Sequence, residues 1–214
     1  MDDLNFELKQ LFIEKGFHRE FKANELIFME NDKDSSLFYI EEGLIKISMI
    51  SDEGKEKTLF LLNDGQVFGE VSLIDGLEHD VNAETLKNTA IYTLKEKDIK
   101  QIVMERPEIS LNLLRVMADK IRLMTQQVRD MVFSDIAGRL ASQLLQFDAQ
   151  FGRTTEGGQL IQLSLTHQEL ANLLGASRVT ITKTLNQFVD EGILQVVNRQ
   201  LLIKDIVALR SYIS

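Results

Sequence analysis

Four side chains suited to nucleic-acid binding lie close together near the end of the chain. Ser177 and Thr180 carry hydroxyls, and Arg178 and Lys183 carry positive charges. An arginine guanidinium is able to donate two hydrogen bonds to a guanine edge, whereas hydroxyl and ammonium groups commonly contact phosphates. On one face of a helix, this set of side chains is typical of an element that reads bases in the major groove of DNA.

Two amphipathic helical patterns that meet at Gly175 would position these side chains. The first helix begins with a capping box, in which Thr166 is the N-cap and Glu169 stands three residues later. Ser177 is the predicted N-cap of the second helix. The residues expected to pack inward are Leu170, Leu173 and Leu174 in the first helix and Ile181, Leu185 and Phe188 in the second. Such a pair is either a helix-turn-helix or an ordinary helical hairpin of a bundle.

A predicted β-hairpin follows the second helix and favours the helix-turn-helix. Two apolar runs, 193–197 and 201–203, flank a turn at residues 198–200, so the unit is a winged helix-turn-helix. The residues predicted to contact DNA are Thr166, His167, Ser177, Arg178, Val179, Thr180, Thr182, Lys183 and Arg199. Among them, Arg178 is expected to read a guanine and Val179 to pack on a thymine methyl group. Phosphate contacts are expected from His167, Ser177 and Thr180, and contacts farther along the groove from Thr182 and Lys183.

The formal charge of −9 is unusual for a DNA-binding protein, because binding relies on cations that replace the counterions of phosphates. The charge is unevenly distributed. Residues 166–214 contain five basic and four acidic side chains, a net charge of about +1, so the acidity belongs to the rest of the chain. A DNA-binding segment that is nearly neutral needs its few cations on one face, and dimerisation would double the number of these cations.

Composition excludes several kinds of site. The chain has no cysteine, which excludes disulfides, thiolate zinc sites and iron–sulfur clusters held by thiolates. Haem and other metal sites are not indicated, because His18, His79 and His167 are scattered and His79 is expected to be a surface residue in a turn. Known catalytic motifs are missing, so an enzyme is not expected. The acidic start is unlike a signal peptide and no apolar run is long enough for a membrane span, so we expect a cytoplasmic protein.

Residues 20–97 contain short apolar runs separated by turn signals, a pattern typical of antiparallel β-structure. The predicted strands are 26–28, 36–40, 44–49, 57–62, 67–68 and 90–94. Their regular spacing predicts a β-roll of the jelly-roll type, whose interior is wide enough for one ligand.

A helix of about 25 residues is predicted after Pro107, longer than the average helix. Its apolar residues have the spacing 3, 4, 3, 4, 3 and are Leu114, Met117, Ile121, Met124, Val128 and Met131. This heptad seam predicts a partner helix and hence a homodimer. Alternatively, the stripe is core against its own domain. A second stripe is available for the roll and consists of Leu113, Val116, Lys120 and Leu123.

The predicted fold is therefore α+β, with three parts. These are an effector-binding β-roll domain (1–106), a dimerisation helix (107–132) and a winged helix-turn-helix domain (133–214). Before the helix-turn-helix, the last part is expected to contain a helix at 136–147, a polar loop at 151–158 and a strand at 159–163.

The order of these elements resembles the Crp/Fnr family of bacterial transcription regulators over nearly the whole chain. Short motifs that carry the resemblance, besides the helix-turn-helix itself, are Gly43, Gly54-Lys55-Glu56, Phe68-Gly69-Glu70 and Asp135-Ile136-Ala137-Gly138-Arg139-Leu140. The resemblance implies a homodimer that binds a pseudo-palindromic site in double-stranded DNA and contacts RNA polymerase. It also implies an effector in the β-roll that alters the dimer helix.

One departure from the family concerns cyclic nucleotides. In members that bind them, Gly-Glu is followed about ten residues later by Arg-Ser, and the arginine pairs with the cyclic phosphate. Here Gly69-Glu70 is followed by Asp80-Val81, so a carboxylate would face the phosphate, and Met124 occupies the dimer-helix position that presents a hydroxyl to adenine. The resemblance therefore implies an effector other than cAMP or cGMP. Glu70 would then be either a ligand contact or a structural acceptor for backbone N–H groups.

The predicted effector pocket consists of Leu59, Leu62, Gly69, Glu70, Val71, Asp80, Val81, Lys120 and Met124. With Lys120 reaching in from the dimer helix, it would favour a small, partly apolar anion. Otherwise Lys120 is a solvated charge or the partner of an acid across the dimer. The alternative function is a regulatory module that binds a ligand and acts through protein partners without DNA. Activation and repression are both compatible with the sequence.

Overall fold

The computed structural model describes residues 2–213, with side chains from residue 8 onward, and contains two compact units that divide after Leu123. The elements that begin in the first unit are α1 (Asp2–Lys15), β1 (Phe17–Phe21), β2 (Leu26–Phe28), β3 (Ser36–Glu42), β4 (Leu44–Ile50), β5 (Glu56–Asn63), β6 (Val67–Phe68), α2 (Glu70–Asp75), β7 (Asn82–Thr85), β8 (Thr89–Lys95), α3 (Glu96–Glu105) and α4 (Glu108–Phe133). The last of these helices continues into the second unit.

Two four-stranded antiparallel sheets form a β-roll in the first unit, as the sequence predicts. Their strand orders are β1-β8-β3-β6 and β2-β7-β4-β5. β3 shows why its sequence is a continuous apolar run, since Phe38 and Ile40 face the core between the sheets while Leu37 and Tyr39 face a second core. This second core also contains side chains of α1, α3 and the start of α4. A strand covered on both faces needs apolar residues at every position.

The second unit contains α5 (Ile136–Phe151), β9 (Gly152–Thr155), β10 (Gly158–Ile161), α6 (His167–Leu174), α7 (Arg178–Asp190), β11 (Leu194–Val197), β12 (Gln200–Ile203) and α8 (Ile206–Arg210). Its antiparallel sheet has the order β11-β12-β10-β9. The predicted winged helix-turn-helix is confirmed. The predicted loop at 151–158 is wrong, because α5 extends to Phe151 and residues 152–155 pair with β10 as a strand. Within residues 2–213, no helix is long and apolar enough to cross a membrane.

His79 is buried, which corrects the expectation of a surface residue in a turn. The residue is only 3% exposed, and its ring stacks on that of Phe28 with the ring centroids 3.7 Å apart. Nδ1 lies 2.9 Å from the hydroxyl of Ser72. Burial lowers the pKa of His79, and the nearby aspartates oppose this shift only in part. The fold therefore favours the neutral ring.

We expect His79 to make the fold less stable as the pH falls below about 6.5, the ordinary pKa of histidine. Above that pH the contribution of the neutral ring is fully present. As the pH falls towards the lowered pKa of the folded state, only the unfolded chain takes up this proton, so stability is lost. The free energy of unfolding in urea should thus fall more between about pH 7 and pH 5 in the wild type than in His79→Gln. Equal falls in the two proteins would contradict this assignment.

Candidate nucleic-acid interface

The helix α6 begins and ends where the sequence predicts. Thr166 is its N-cap, with the hydroxyl accepting from the backbone N–H of Glu169 at 3.2 Å, while the Glu169 carboxylate accepts from the backbone N–H of Thr166 at 2.6 Å. Gly175 ends the helix with φ of 62°, a left-handed conformation that glycine adopts without strain. The predicted capping box and turn glycine are confirmed.

The exposed face of α7 is held in place by its apolar face and by an N-cap. Ile181 and Phe188 are fully buried, and Leu185 nearly so. Ser177 caps the helix, and its hydroxyl accepts from the backbone N–H of Thr180 at 3.1 Å. Because the buried face and the start of the helix are both fixed, the side chains of the first turn project from a rigid element.

Two cations project from α7 and keep their charge unpaired. Arg178 and Lys183 are exposed, and among residues 2–213 neither side chain forms a hydrogen bond or an ion pair. Val179 beside them is 64% exposed. An exposed apolar residue between two unpaired cations has no packing role in the single chain. It fits instead a surface that contacts a base methyl group and phosphates.

None of the four carboxylates of residues 166–214 pairs with these cations, and three of the four have other partners. Glu169 belongs to the capping box, and Asp205 caps α8 by accepting from two backbone N–H groups. Glu191 accepts a hydrogen bond from the hydroxyl of Tyr212, which lowers the pKa of Glu191. Asp190 ends α7, about 18 Å along the helix axis from Arg178. The small net charge of residues 166–214 thus leaves Arg178 and Lys183 without an acidic partner among residues 2–213.

Three hydroxyls and one imidazole that were expected to contact DNA have partners within the protein. The Thr182 hydroxyl donates to the carbonyl of Arg178 at 2.9 Å and lies 2.7 Å from His167 Nδ1. Since a hydroxyl donates once, Nδ1 then donates to Thr182, and the two helices of the motif are joined. The predicted contact of Thr182 farther along the groove would therefore have to add to these two bonds or replace one of them. The hydroxyls of Ser177 and Thr180 lie 2.8 Å apart, so only one of their two hydrogens remains for a phosphate.

The wing ends in a two-residue turn. Asn198 and Arg199 have φ of 49° and 65°, and Val197 pairs with Gln200 across the turn. Positive φ at both central residues is the signature of a type I′ turn, which asparagine tolerates better than arginine. The turn places the exposed Arg199 at the tip of the wing, as its predicted role requires.

The predicted dimer seam is uncovered in the single chain. Met117 is half-buried, and the exposed members are Leu114, Ile121, Met124, Val128 and Met131. On the other stripe, Leu113 is buried in the second core of the roll. The alternative in which the seam is core against its own domain is therefore wrong. A long apolar stripe left in water is a surface that needs a partner.

The residues predicted to line an effector pocket do not share one environment. Leu62 belongs to the core between the sheets, and Val81 packs against it. The exposed or half-exposed members are Leu59, Gly69, Val71, Asp80 and Met124. The predicted members thus range from buried core to exposed surface, and their assembly into an effector pocket stays a prediction.

Glu70 and Lys120 form an ion pair that the sequence did not predict. The ammonium of Lys120 lies 2.8 and 2.9 Å from the two carboxylate oxygens and donates to the carbonyl of Val67 at 3.0 Å. The side chains of Glu70 and Lys120 are 4% and 16% exposed. Lys120 is thus neither solvated nor reserved for an acid across a dimer, and Glu70 accepts from an ammonium rather than from backbone N–H groups. No unpaired charge on Lys120 remains to attract an anion.

Replacing Lys120 with methionine should destabilise the protein by about 3 kcal/mol, because it leaves the Glu70 carboxylate buried without its partner. The double variant Lys120→Met, Glu70→Gln removes both charges and should recover most of that loss. Urea unfolding of the wild type and the two variants measures the difference. A double variant no more stable than the single one would contradict the pairing.

Asp130 is a structural residue that sequence reasoning missed. Its carboxylate accepts from the hydroxyl of Ser142 at 2.7 Å and from the amide of Gln126 at 2.7 Å. These bonds tie the end of α4 to α5 within the second unit. Nothing in the local sequence signals this contact, since Asp130 and Ser142 lie on different helices.

Comparison with known families matches both units. Residues 18–106 match the cyclic nucleotide-binding domain, and residues 138–212 match the Crp-like helix-turn-helix domain. The two matched segments leave out the whole of α4, the helix that carries the exposed seam.

Individual relatives match over most of their length. The CRP-like cAMP-activated global transcriptional regulator of Mycobacterium tuberculosis is 34% identical over 187 residues, which cover 87% of this chain and 83% of that protein. The global nitrogen regulator of Nostoc sp. is 28% identical over 86% of this chain and 83% of its own. Among solved structures, a CooA variant from Carboxydothermus hydrogenoformans has a TM-score of 0.82 at 27% identity, over 96% of this chain and 90% of that chain.

Proposed function

Because this chain belongs to the Crp/Fnr family of DNA-binding transcription regulators, we propose that it binds a pseudo-palindromic operator as a homodimer, with α7 of each subunit in the major groove. The observation that carries the proposal is the pair of unpaired cations, Arg178 and Lys183, on the exposed face of a capped and buried helix. A transcription regulator of this kind is not an enzyme. Its specificity would come from Arg178 and Val179 and its affinity largely from phosphate contacts.

The exposed heptad seam supports the dimer. Family members act as dimers, and α4 presents apolar side chains at the spacing of a coiled coil. In a two-fold symmetric pair, each seam would face its own copy. Two recognition helices would then meet two half-sites about one helical turn of DNA apart, roughly 34 Å. The predicted subunit contact and the predicted form of the operator therefore require each other.

Lys183→Ala should weaken binding to all DNA sequences alike, because the ammonium contacts phosphate rather than a base. Each half-site then loses about one released counterion, which lowers the slope of log affinity against log salt by about 1 per half-site. Fluorescence anisotropy with operator and random duplexes at several salt concentrations measures both effects. Lys97→Ala, an equal change of charge on the exposed surface of α3, is the control. A loss confined to the operator would show that Lys183 reads a base.

The proposed effector is not cAMP or cGMP. Asp80 stands where binding requires a cation, and Glu70 is already paired with Lys120. Calorimetry with either nucleotide at about 1 mM should show no heat of specific binding. This concentration is far above the micromolar dissociation constant expected for a cognate effector. Operator binding by the same preparation confirms that the protein is folded. Micromolar affinity for cAMP or cGMP would overturn this part of the proposal.

Any effector of the roll would act at the Lys120–Glu70 pair, because this pair joins α4 to the junction of β6 and α2. A thermal-shift screen of small metabolites is the direct search, since a ligand at a hundred times its dissociation constant stabilises the folded state by about 2.7 kcal/mol. RNA polymerase as a partner and the cytoplasm as the location complete the proposal, because family members regulate transcription.

A further inference from the structure

A cavity lies within the DNA-binding unit itself. Its volume is about 580 Å³, within the range of small-molecule sites. It is bounded by α5, α6, α7 and the wing, under the linker from β10 to α6. The apolar side chains that form its walls include Phe147, Leu170, Leu185 and Leu201. All of the lining residues belong to one compact unit, so the cavity depends on no contact with the roll or a second subunit.

The polar residues that line the cavity include a cation. Arg199, at the tip of the wing, and His167, at the start of α6, line it together with the apolar walls. Within the described chain, no carboxylate pairs with Arg199. A guanidinium offers a planar fork of donors that binds a carboxylate in a bidentate manner. An apolar chamber beside an unpaired guanidinium is complementary to a molecule with an apolar body and one carboxylate.

We propose that this cavity binds an amphipathic monocarboxylate, with the apolar body against the leucines and the carboxylate on Arg199. A medium-chain fatty acid and an aryl-substituted acid share this chemistry, and decanoate and 4-phenylbutyrate represent the two sources. Most of the affinity would come from burial of the apolar body, and the ion pair would fix its orientation.

Occupancy of the cavity would oppose DNA binding. Arg199 and His167 are among the residues proposed to contact DNA, and the ligand would engage Arg199 itself. The two binding equilibria are then coupled by the same factor in both directions. Bound DNA lowers the affinity for the ligand as much as bound ligand lowers the affinity for DNA. This coupling rests on the proposed function, whereas binding of the acid does not.

The test is calorimetry on the full-length protein without DNA, with decanoate below its micelle concentration and with 4-phenylbutyrate. We expect micromolar to submillimolar binding of at least one acid, and about tenfold weaker binding of the uncharged amide of that acid. Arg199→Gln should weaken the acid about tenfold and leave the amide unchanged. No binding of either acid at about 1 mM, or equal affinity for acid and amide, would overturn the site.

A pair of matched variants locates the site. Val196 lines the cavity and is 60% exposed, so Val196→Glu places a carboxylate at its mouth without disturbing the core. Val207→Glu is the control, since Val207 is 75% exposed on α8 and does not line the cavity. We expect Val196→Glu to lower the affinity for the acid about tenfold through like-charge repulsion. Val207→Glu should leave that affinity unchanged. Equal effects of the two variants would overturn the location.

DNA binding is measured separately. A concentration of the acid that saturates the wild type should lower the affinity of the wild type for a selected operator. The same concentration should change the operator affinity of Arg199→Gln only a little. Unchanged affinity of the wild type would overturn the coupling. A protein that binds the acid but no DNA would instead refute the proposed function, so the two failures are distinguishable.

Discussion

Replacing Arg178 with alanine should weaken operator binding by about 1–3 kcal/mol in each half-site. For a dimer with two half-sites this is a loss of affinity between about 30-fold and about 20,000-fold. The reason is geometric. Arg178 is the first residue of α7, its guanidinium has no partner among residues 2–213, and a free guanidinium is able to donate to both O6 and N7 of a guanine. The variant should also lose its preference at one base pair of each half-site.

Binding-site selection on the wild type and the variant measures this loss of preference, and anisotropy measures the affinity. Arg210→Ala serves as the control, because it removes the same charge from α8, which packs against α5 rather than presenting the reading face. An Arg178→Ala protein that selects the same sequences as the wild type would show that another side chain reads the base. A matching loss in the control would show that net charge alone is responsible.

Ile121→Asp should convert the protein to a monomer. Two-fold symmetry places a carboxylate from each subunit in the seam, and the removal of each ion from water costs several kcal/mol. Ile121 is 60% exposed in the single chain, so the folded monomer tolerates the charge. Loss of the dimer should also weaken operator binding. Two recognition helices on separate monomers lack the high effective concentration that they have in one dimer.

Sedimentation at micromolar protein concentration distinguishes monomer from dimer, and circular dichroism confirms that the variant is folded. Met104→Asp makes the same exchange of an apolar side chain for a carboxylate at a position on α3 that is 85% exposed and lies outside the seam. We expect this control to remain a dimer. If Ile121→Asp keeps the mass of a dimer, α4 does not form the subunit contact through the predicted residues.

The uneven charge distribution links DNA reading to dimerisation. A reader with a net charge of about +1 has little general attraction for DNA, and the acidic remainder of the chain repels it. Affinity then depends on a few well-placed cations presented twice by a dimer. Such a protein would discriminate strongly between its operator and other DNA, since less of its binding energy is independent of sequence.

The sequence by itself determined the elements whose signals are local. The capping box of Thr166 and Glu169, the glycine between α6 and α7, and the wing turn at Asn198 all stand where the residue types predicted them. The apolar runs of the roll did the same, since strands buried on one or both faces reveal themselves by alternation or by continuity. The missed strands were β1, β7 and β9. Their residues are mostly polar or exposed, so no apolar pattern marks them.

Only the tertiary structure decided which side chains remain available for ligands. His167 and Thr182 join the two helices of the motif, and Lys120 reaches Glu70, a residue 50 positions away. The sequence gives the charge and the length of each side chain but not its neighbours, because hydrogen-bond partners of this kind lie on elements that only the fold brings together. The burial of His79 has the same origin, since the strand that carries Phe28 covers a turn whose own sequence is polar.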